Sequence, residues 1–419
     1  MPKHPWSLGL ALAGALCASG TLSGQSVDWA QFRGPKRDGV SVEKGLLKEW
    51  PKDGPKVLWQ AKGIGGGYAS VSLAGDRIFT LGNQKGISFV FSLDRETGKV
   101  LWQAEVGKSG GNLGSTPTVD GDRLYAVGQE GDLVCVEIAT GKVLWRKNFF
   151  QDFGGKYGGW HYTESPLVDG DRVFCTPGGR DSMVALDKKK GDVVWKCSLP
   201  SGEAAGYSSI VIAEVGPVRQ CVQLLADSLV GVETKAGKLL WRYGDTGRRF
   251  GGNTANIPTP IVKGDLVFCA AGYGRGAALL RLVPDGEGVK AEEVYFVKEL
   301  TNKHGGVILV GDHLYGDRDD RGNPFCADFK TGKIVPGWEK RVETQGKGSV
   351  AVTYADGHVY FRYENGFVAL VEADPAGYKE KSSFQVPKTR GPSWAHPVVV
   401  GARLYLREQD ALWCYDLKQ

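Results

Sequence analysis

The chain has 419 residues, 42% of them hydrophobic and 24% charged, which suffices for a large core and excludes a disordered or fibrous protein. Glycine is abundant at 61 and methionine scarce at 2, the composition of a chain that turns often. Lys and Arg number 52 against 47 Asp and Glu, and the longest basic run is Lys188-Lys189-Lys190, so no concentrated positive patch points to a nucleic acid.

At the amino terminus, Lys3 and His4 precede an apolar stretch from Trp6 to Ala18, followed by small residues as far as Gly24. This predicts a secretory signal peptide over 1–24, followed by an arm over 25–53 and the main domain over 54–419. The apolar run is about a dozen residues, short of the roughly 20 needed to span a bilayer, and no transmembrane segment is expected. The product should be exported, to the periplasm or beyond, and monomeric. Cys17 sits near a lipoprotein position, yet Leu16 before it is a poor lipobox residue. The cysteines from Cys135 to Cys414 include no CxxC, which argues against a disulfide framework or a zinc site.

From residue 70 onward one phrase recurs about every 46 residues, a period typical of repeat architectures. It runs through a strand ending in a turn such as Gly75-Asp76-Arg77 or Gly121-Asp122-Arg123, two apolar strands around a glycine-bearing turn, and a closing strand. The closing phrase reads Thr97-Gly98-Lys99-Val100-Leu101-Trp102, Thr140 to Trp145, Gly191 to Trp195 and Gly237 to Trp241, with a stretched copy ending at Trp338. Four short strands per unit, A to D, predict an all-β, eight-bladed propeller of four-stranded antiparallel blades. The last unit, 395–417, holds strands A to C alone, and Lys56-Val57-Leu58-Trp59 carries an orphan closing phrase. Pairing the two termini would complete blade eight and hide its sheet edges.

These phrases, above all Val136 to Trp145 and Ala185 to Trp195, resemble the tryptophan motif of PQQ-type propeller repeats. The resemblance covers residues 54–419. The opening Trp29 to Gly39 is similar to the segment that precedes the propeller in many exported PQQ-like repeat proteins. That superfamily includes quinoprotein alcohol dehydrogenases and also the outer-membrane assembly lipoprotein BamB, which binds no quinone. The resemblance therefore implies the fold more firmly than an activity.

Comparing the copies separates architecture from function. Cys135, Cys326 and Cys414 share a strand C slot with Ala185, Gly231 and Ala369, and Cys175 and Cys269 share a strand B slot with Thr80, Ala126 and Gly316, so they read as small core residues. The recurrent tryptophans read as wedges between blades. His313 and His358 replace turn arginines. The D-to-A loops converge on one mouth of the channel and end in a ring of hydroxyls, from Ser70 to Ser349, interrupted at Gly306 and His396. Hydroxyls there would satisfy the first backbone groups of strand A.

Residues that break the repeat are the candidate ligand-binding rim: Trp160, His161, Tyr162 and Glu164 before blade three, Asn253 and Asn256 before blade five, Lys303 and His304 before blade six, and Arg390, Trp394 and His396 before blade eight. Aromatic faces beside convergent polar groups suit a planar or sugar-like ligand. Asp317 and Asp319 lie in a loop that has only part of a calcium-loop pattern, because Arg321 takes a ligand position and no Glu closes it. Catalytic residues are not evident.

The expectation is an exported, non-enzymatic propeller that serves as a protein-interaction or ligand-binding scaffold, BamB-like, with no cofactor and an unidentified protein or small-ligand partner. One alternative is a quinoprotein-type oxidoreductase using PQQ and calcium, for which Glu164, Asn256 and Asp317 or Asp319 would be the rim set. The adjacent cysteine pair of many such dehydrogenases and a CxxCH haem site are both absent from the sequence. A carbohydrate- or small-ligand-binding module is the second alternative.

Overall fold

A computed structural model describes residues 1–2, 28–111, 113–244, 249–252, 255–318, 321–387 and 391–419. Nearly all of the expected signal peptide lies outside the described residues, as do Asn253, Asp319 and Arg390.

Eight antiparallel sheets form the blades. Blade one comprises Ser72–Ala74, Arg77–Gln84, Ile87–Asp94 and Val100–Lys108, hydrogen-bonded in that order. The ring closes as the orphan phrase predicts: Val57–Lys62 pairs antiparallel with Ala411–Asp416 as the fourth strand of blade eight. Blade six is the exception, with three strands. Its stretched closing phrase makes one bridge, Ala327 to Ile334, and then a 3-10 turn over Pro336–Trp338. Pro336 has no N–H to give a ladder, and the turn is what brings Trp338 back to its full burial.

The closing phrase works through a bulge. Pairing skips Leu101 between Val100 and Trp102, and likewise Leu144, Val194, Leu240 and Val294 in their blades. The extra residue turns the strand locally, so that Leu101, Leu144, Val194 and Val294 face solvent while the aromatic ring after each swings toward the next blade. There it meets the left-handed glycine of that blade's closing turn. A Cβ at Gly141 would lie 2.8 Å from Trp102, at Gly191 2.7 Å from Trp145, and at Gly237 2.6 Å from Trp195, so glycine is required by space as well as by φ. The indole N–H groups of these three rings donate to the Ile138, Lys188 and Thr234 carbonyls of the neighbouring blade. Tyr295 takes the role in blade five, packing on Gly332 and donating to the Phe329 carbonyl at 3.0 Å. Trp241 instead turns into its own blade and donates to Gln220 at 2.6 Å.

The arm is part of the channel. Trp29 bridges to Leu73 in strand A of blade one, and Val40 bridges to Tyr354 in strand A of blade seven. Between them the chain turns tightly, with Arg33 and Arg37 both left-handed at φ 63° and 56°, an unusual conformation for side-chain-bearing residues. Gly34 and Gly39 are left-handed as well, and Gly34 lies flat on the Trp29 ring. This knot of residues stoppers the centre of the ring.

Candidate functional site

Above the stopper, at the D-to-A mouth, lies a funnel enclosing about 250 Å³. Every blade except the seventh contributes to it from the loop before its strand A, through residues such as Tyr68, Thr163, Tyr207, Lys303 and Trp394. Phe32 and Arg33 of the arm also line it, which places the arm at its inner end.

The hydroxyl ring holds the mouth together. Ser70 N–H donates to Thr116 Oγ1, Thr116 N–H to Ser165 Oγ, and Ser165 N–H to Ser209 Oγ, each at 2.9–3.0 Å. Each blade's hydroxyl therefore satisfies the previous blade's backbone, which spends these groups on closure. The two interruptions in the ring mark where the arm enters. A Cβ on Gly306 would lie 2.5 Å from Arg33 Nη1, and His396 packs edge-on against Phe32 with ring centroids 5.0 Å apart.

The two arm arginines differ in how far they are satisfied. Arg37 donates to Gln31 Oε1 at 2.8 Å and to the Ile210 and Ser165 carbonyls at 3.0 and 3.1 Å, with a further short contact to Pro166. Arg33 donates through Nη2 to the Val307 and Asp38 carbonyls at 2.6 and 3.0 Å, while its Nε and Nη1 are buried and have no partner. Burial lowers the Arg33 pKa to about 10, with Asp38 opposing, so it is a cation at neutral pH.

The walls are aromatic. The His304 and Trp394 rings stack at 4.1 Å with 16° between planes, and Tyr68 leans on Trp394 at 4.7 Å. His304 Nδ1 is 2.9 Å from Ser349 Oγ. Lys303 Nζ sits 4.5 Å above the Tyr273 ring. Trp160 is 51% exposed and Tyr273 53%, so both rings present apolar faces to solvent at the funnel. Burial drives the His396 pKa down to about 3, and that ring is neutral.

Of the rim candidates, Trp160, Lys303, His304, Trp394 and His396 come together around the funnel. Others are placed elsewhere. His161 pairs with Glu130 at 3.0 Å and packs on Tyr157. Tyr162 is core, donating to the Pro177 carbonyl at 2.7 Å. Asn256 is fully buried, and its amide donates to the Leu225, Ala226 and Phe250 carbonyls. Glu164 Oε2 accepts from Thr176 N–H at 2.8 Å, and burial raises this carboxyl to about 8. Asp317 is buried beside Asn302, whose amide donates to it at 3.1 Å. Phe32, Arg33, Tyr207 and Tyr273 also line the funnel, and sequence reasoning does not single them out. Arg33 had a usable signal: like the rim residues, it has no counterpart in the repeat.

A calcium-and-quinone cage requires several oxygens converging on one cation. Among the described residues, Glu164, Asn256 and Asp317 do not converge: none lines the funnel, and the funnel has no carboxylate in its lining. No group of three His, Cys, Asp or Glu side chains among the described residues is placed to hold a metal ion. No helix among them is long and apolar enough to cross a membrane.

A family model described as outer membrane protein assembly factor BamB matches residues 86–337. The chain is similar to BamB of Kangiella koreensis, 28% identical over 222 residues that cover 50% of this chain and 49% of that protein, so it spans about half the length of that relative. Among solved structures, BamB from Moraxella catarrhalis superposes with a TM-score of 0.63 at 15% identity, covering 87% of this chain and all of that one. Quinohemoprotein alcohol dehydrogenase from Comamonas testosteroni gives 0.66 at 14%, covering 93% and 80%. At such identities these superpositions speak for the fold alone.

Proposed function

This chain belongs to the PQQ-like propeller family described as outer membrane protein assembly factor BamB, and from that premise we propose that it is an exported, non-enzymatic binding propeller whose working surface is the funnel at the D-to-A mouth. The observation that carries the reading is the character of that funnel: exposed aromatic walls, two cations, and no carboxylate among the described residues. Aromatic anchors around a concave site suit recognition of a partner. A quinone enzyme needs a cation cage, whereas Glu164 Oε2 and the Asn256 amide bond to backbone groups of their own surroundings and Asp317 accepts from the Asn302 amide.

Two experiments test this. Given PQQ and calcium, the purified protein should show no calcium-dependent retention of the quinone on desalting and should reduce no artificial electron acceptor with alcohols or sugars. Turnover that disappears in Glu164→Ala would establish the oxidoreductase reading instead. A photo-crosslinker placed at Trp160 in the source cell's envelope should trap a protein partner, whereas one at Val294 on the blade side should not. Trapping at Val294 alone would move the working surface off the funnel.

A further inference from the structure

The funnel is closed at its inner end by the chain's own arm. Arg37 seals the channel against blades two, three and four, and Arg33 does so against blade six. A polypeptide cannot thread through such a site; a chain end can enter it. Three donors inside have no acceptor, Arg33 Nε and Nη1 and Trp394 Nε1, all buried; His396 Nδ1, on a neutral ring, is buried without a partner as well. Arg33 is 3% exposed and makes no ion pair within 4 Å among the described residues. Leaving a buried guanidinium half-satisfied is costly unless something else meets it. Lys303 adds a second positive charge at the wall. An anion is the chemistry that fits, and the stacked rings beside it ask for an apolar or aromatic body.

We propose that the funnel captures the carboxy-terminal residue of a partner polypeptide, with its terminal carboxylate on Arg33 Nη1 and its side chain against the His304 and Trp394 rings. The carboxylate would accept a charge-assisted hydrogen bond from Nη1, one of the two Arg33 nitrogens that have no partner among the described residues. Capture of a chain end by fixed donors is an established recognition mode, and here the donor comes from the arm and not from a blade. Glycine at 306 leaves Arg33 Nη1 the space that a side chain would fill.

The inference rests on the funnel being the working surface, and its test is independent of partner capture in cells. The full chain is titrated, following tryptophan fluorescence, with the pentapeptide Gly-Ser-Gly-Ser-Phe bearing a free carboxylate, with its carboxy-terminal amide, and with 3-phenylpropionate as the small-molecule source of the same groups. The free peptide should bind about tenfold or more tightly than the amide, and better than 3-phenylpropionate. Arg33→Gln should abolish the difference between acid and amide, and Lys303→Gln, outside the stopper, should reduce it. Equal binding of acid and amide by the unaltered protein, or no binding of either, overturns the proposal without any variant having to fold. Binding of 3-phenylpropionate alone overturns the polypeptide source. Crosslinking from Trp160 with equal acid and amide affinities would leave the scaffold reading standing and remove this one.

Discussion

The Arg362 guanidinium and the Glu408 carboxylate, both fully buried, meet at 2.7 Å across the joint between blades seven and eight. Ser393 Oγ donates to the same carboxylate, and Arg362 also donates to the Ala395 carbonyl at 2.7 Å. Arg407 repeats the device one blade on, donating to Gly65 O at 2.8 Å and reaching Thr80 and Leu81 of blade one. Removing one partner strands a buried charge, so Glu408→Leu or Arg362→Met alone should cost about 3–5 kcal/mol. The double variant should recover most of that loss in urea unfolding. Strictly additive losses would show that the pair does not act as a unit.

Closure depends on the amino-terminal strand. Deleting residues through Lys62 frees the edge of Ala411–Asp416 and removes the stopper. That protein should aggregate, because an unpaired central edge is a template for other strands. Deleting 28–45 alone keeps the ring and should give a monomer with a lower melting temperature. Size exclusion and thermal melts distinguish the two, and a soluble, fully stable product of the longer deletion would mean that the ring closes another way.

Glu164 gives stability a pH slope. Its native carboxyl, raised by burial to about 8, keeps its proton where the unfolded chain, near 4.5, has lost it. Unfolding in that window releases a proton, so the contribution is complete below pH 4.5 and is lost as pH rises toward 8. The loss is on the order of 3–5 kcal/mol, at roughly 1.4 kcal/mol per unit. Glu164→Gln should flatten the slope and be the more stable protein at pH 8.5. An unchanged slope in that variant would assign it to other groups.

The seven cysteines from Cys135 to Cys414 are buried and free. Burial raises the Cys135 thiol to about 11 and those of Cys326 and Cys414 to about 12, so the thiolates that react are suppressed in the folded protein. A thiol reagent should label none of the seven in native protein and all of them after unreduced denaturation. Changing Cys135, Cys326 and Cys414 together to Ala should cost about 1 kcal/mol per site or less, the removal of one small buried group. Labelling of three or fewer after denaturation would reveal disulfides.

Repetition made the architecture legible. The tryptophan phrase is copied blade after blade because each copy solves the same problem, a ring lying on the next blade's glycine, as Trp145 does on Gly191. An orphan copy at Trp59 was enough to predict where the ring closes. Single-copy features had no such internal control. Glu164 and Asn256 stood out from the repeat for the same reason as Trp160, and the sequence had no means of telling a side chain turned onto its own backbone from one turned to solvent.

The blade count, the closure and the small-residue slots can be read along the chain, since these depend on period and on side-chain size, both local properties. The stopper was decided by tertiary structure alone. Arg33 and Arg37 look like surface charges in a polar segment, and their burial depends on carbonyls of Val307, Ser165 and Ile210, more than 120 residues away in the chain. Those carbonyls become available only when eight strand A segments converge on one axis, and no pattern along the chain records which of them an arginine will meet.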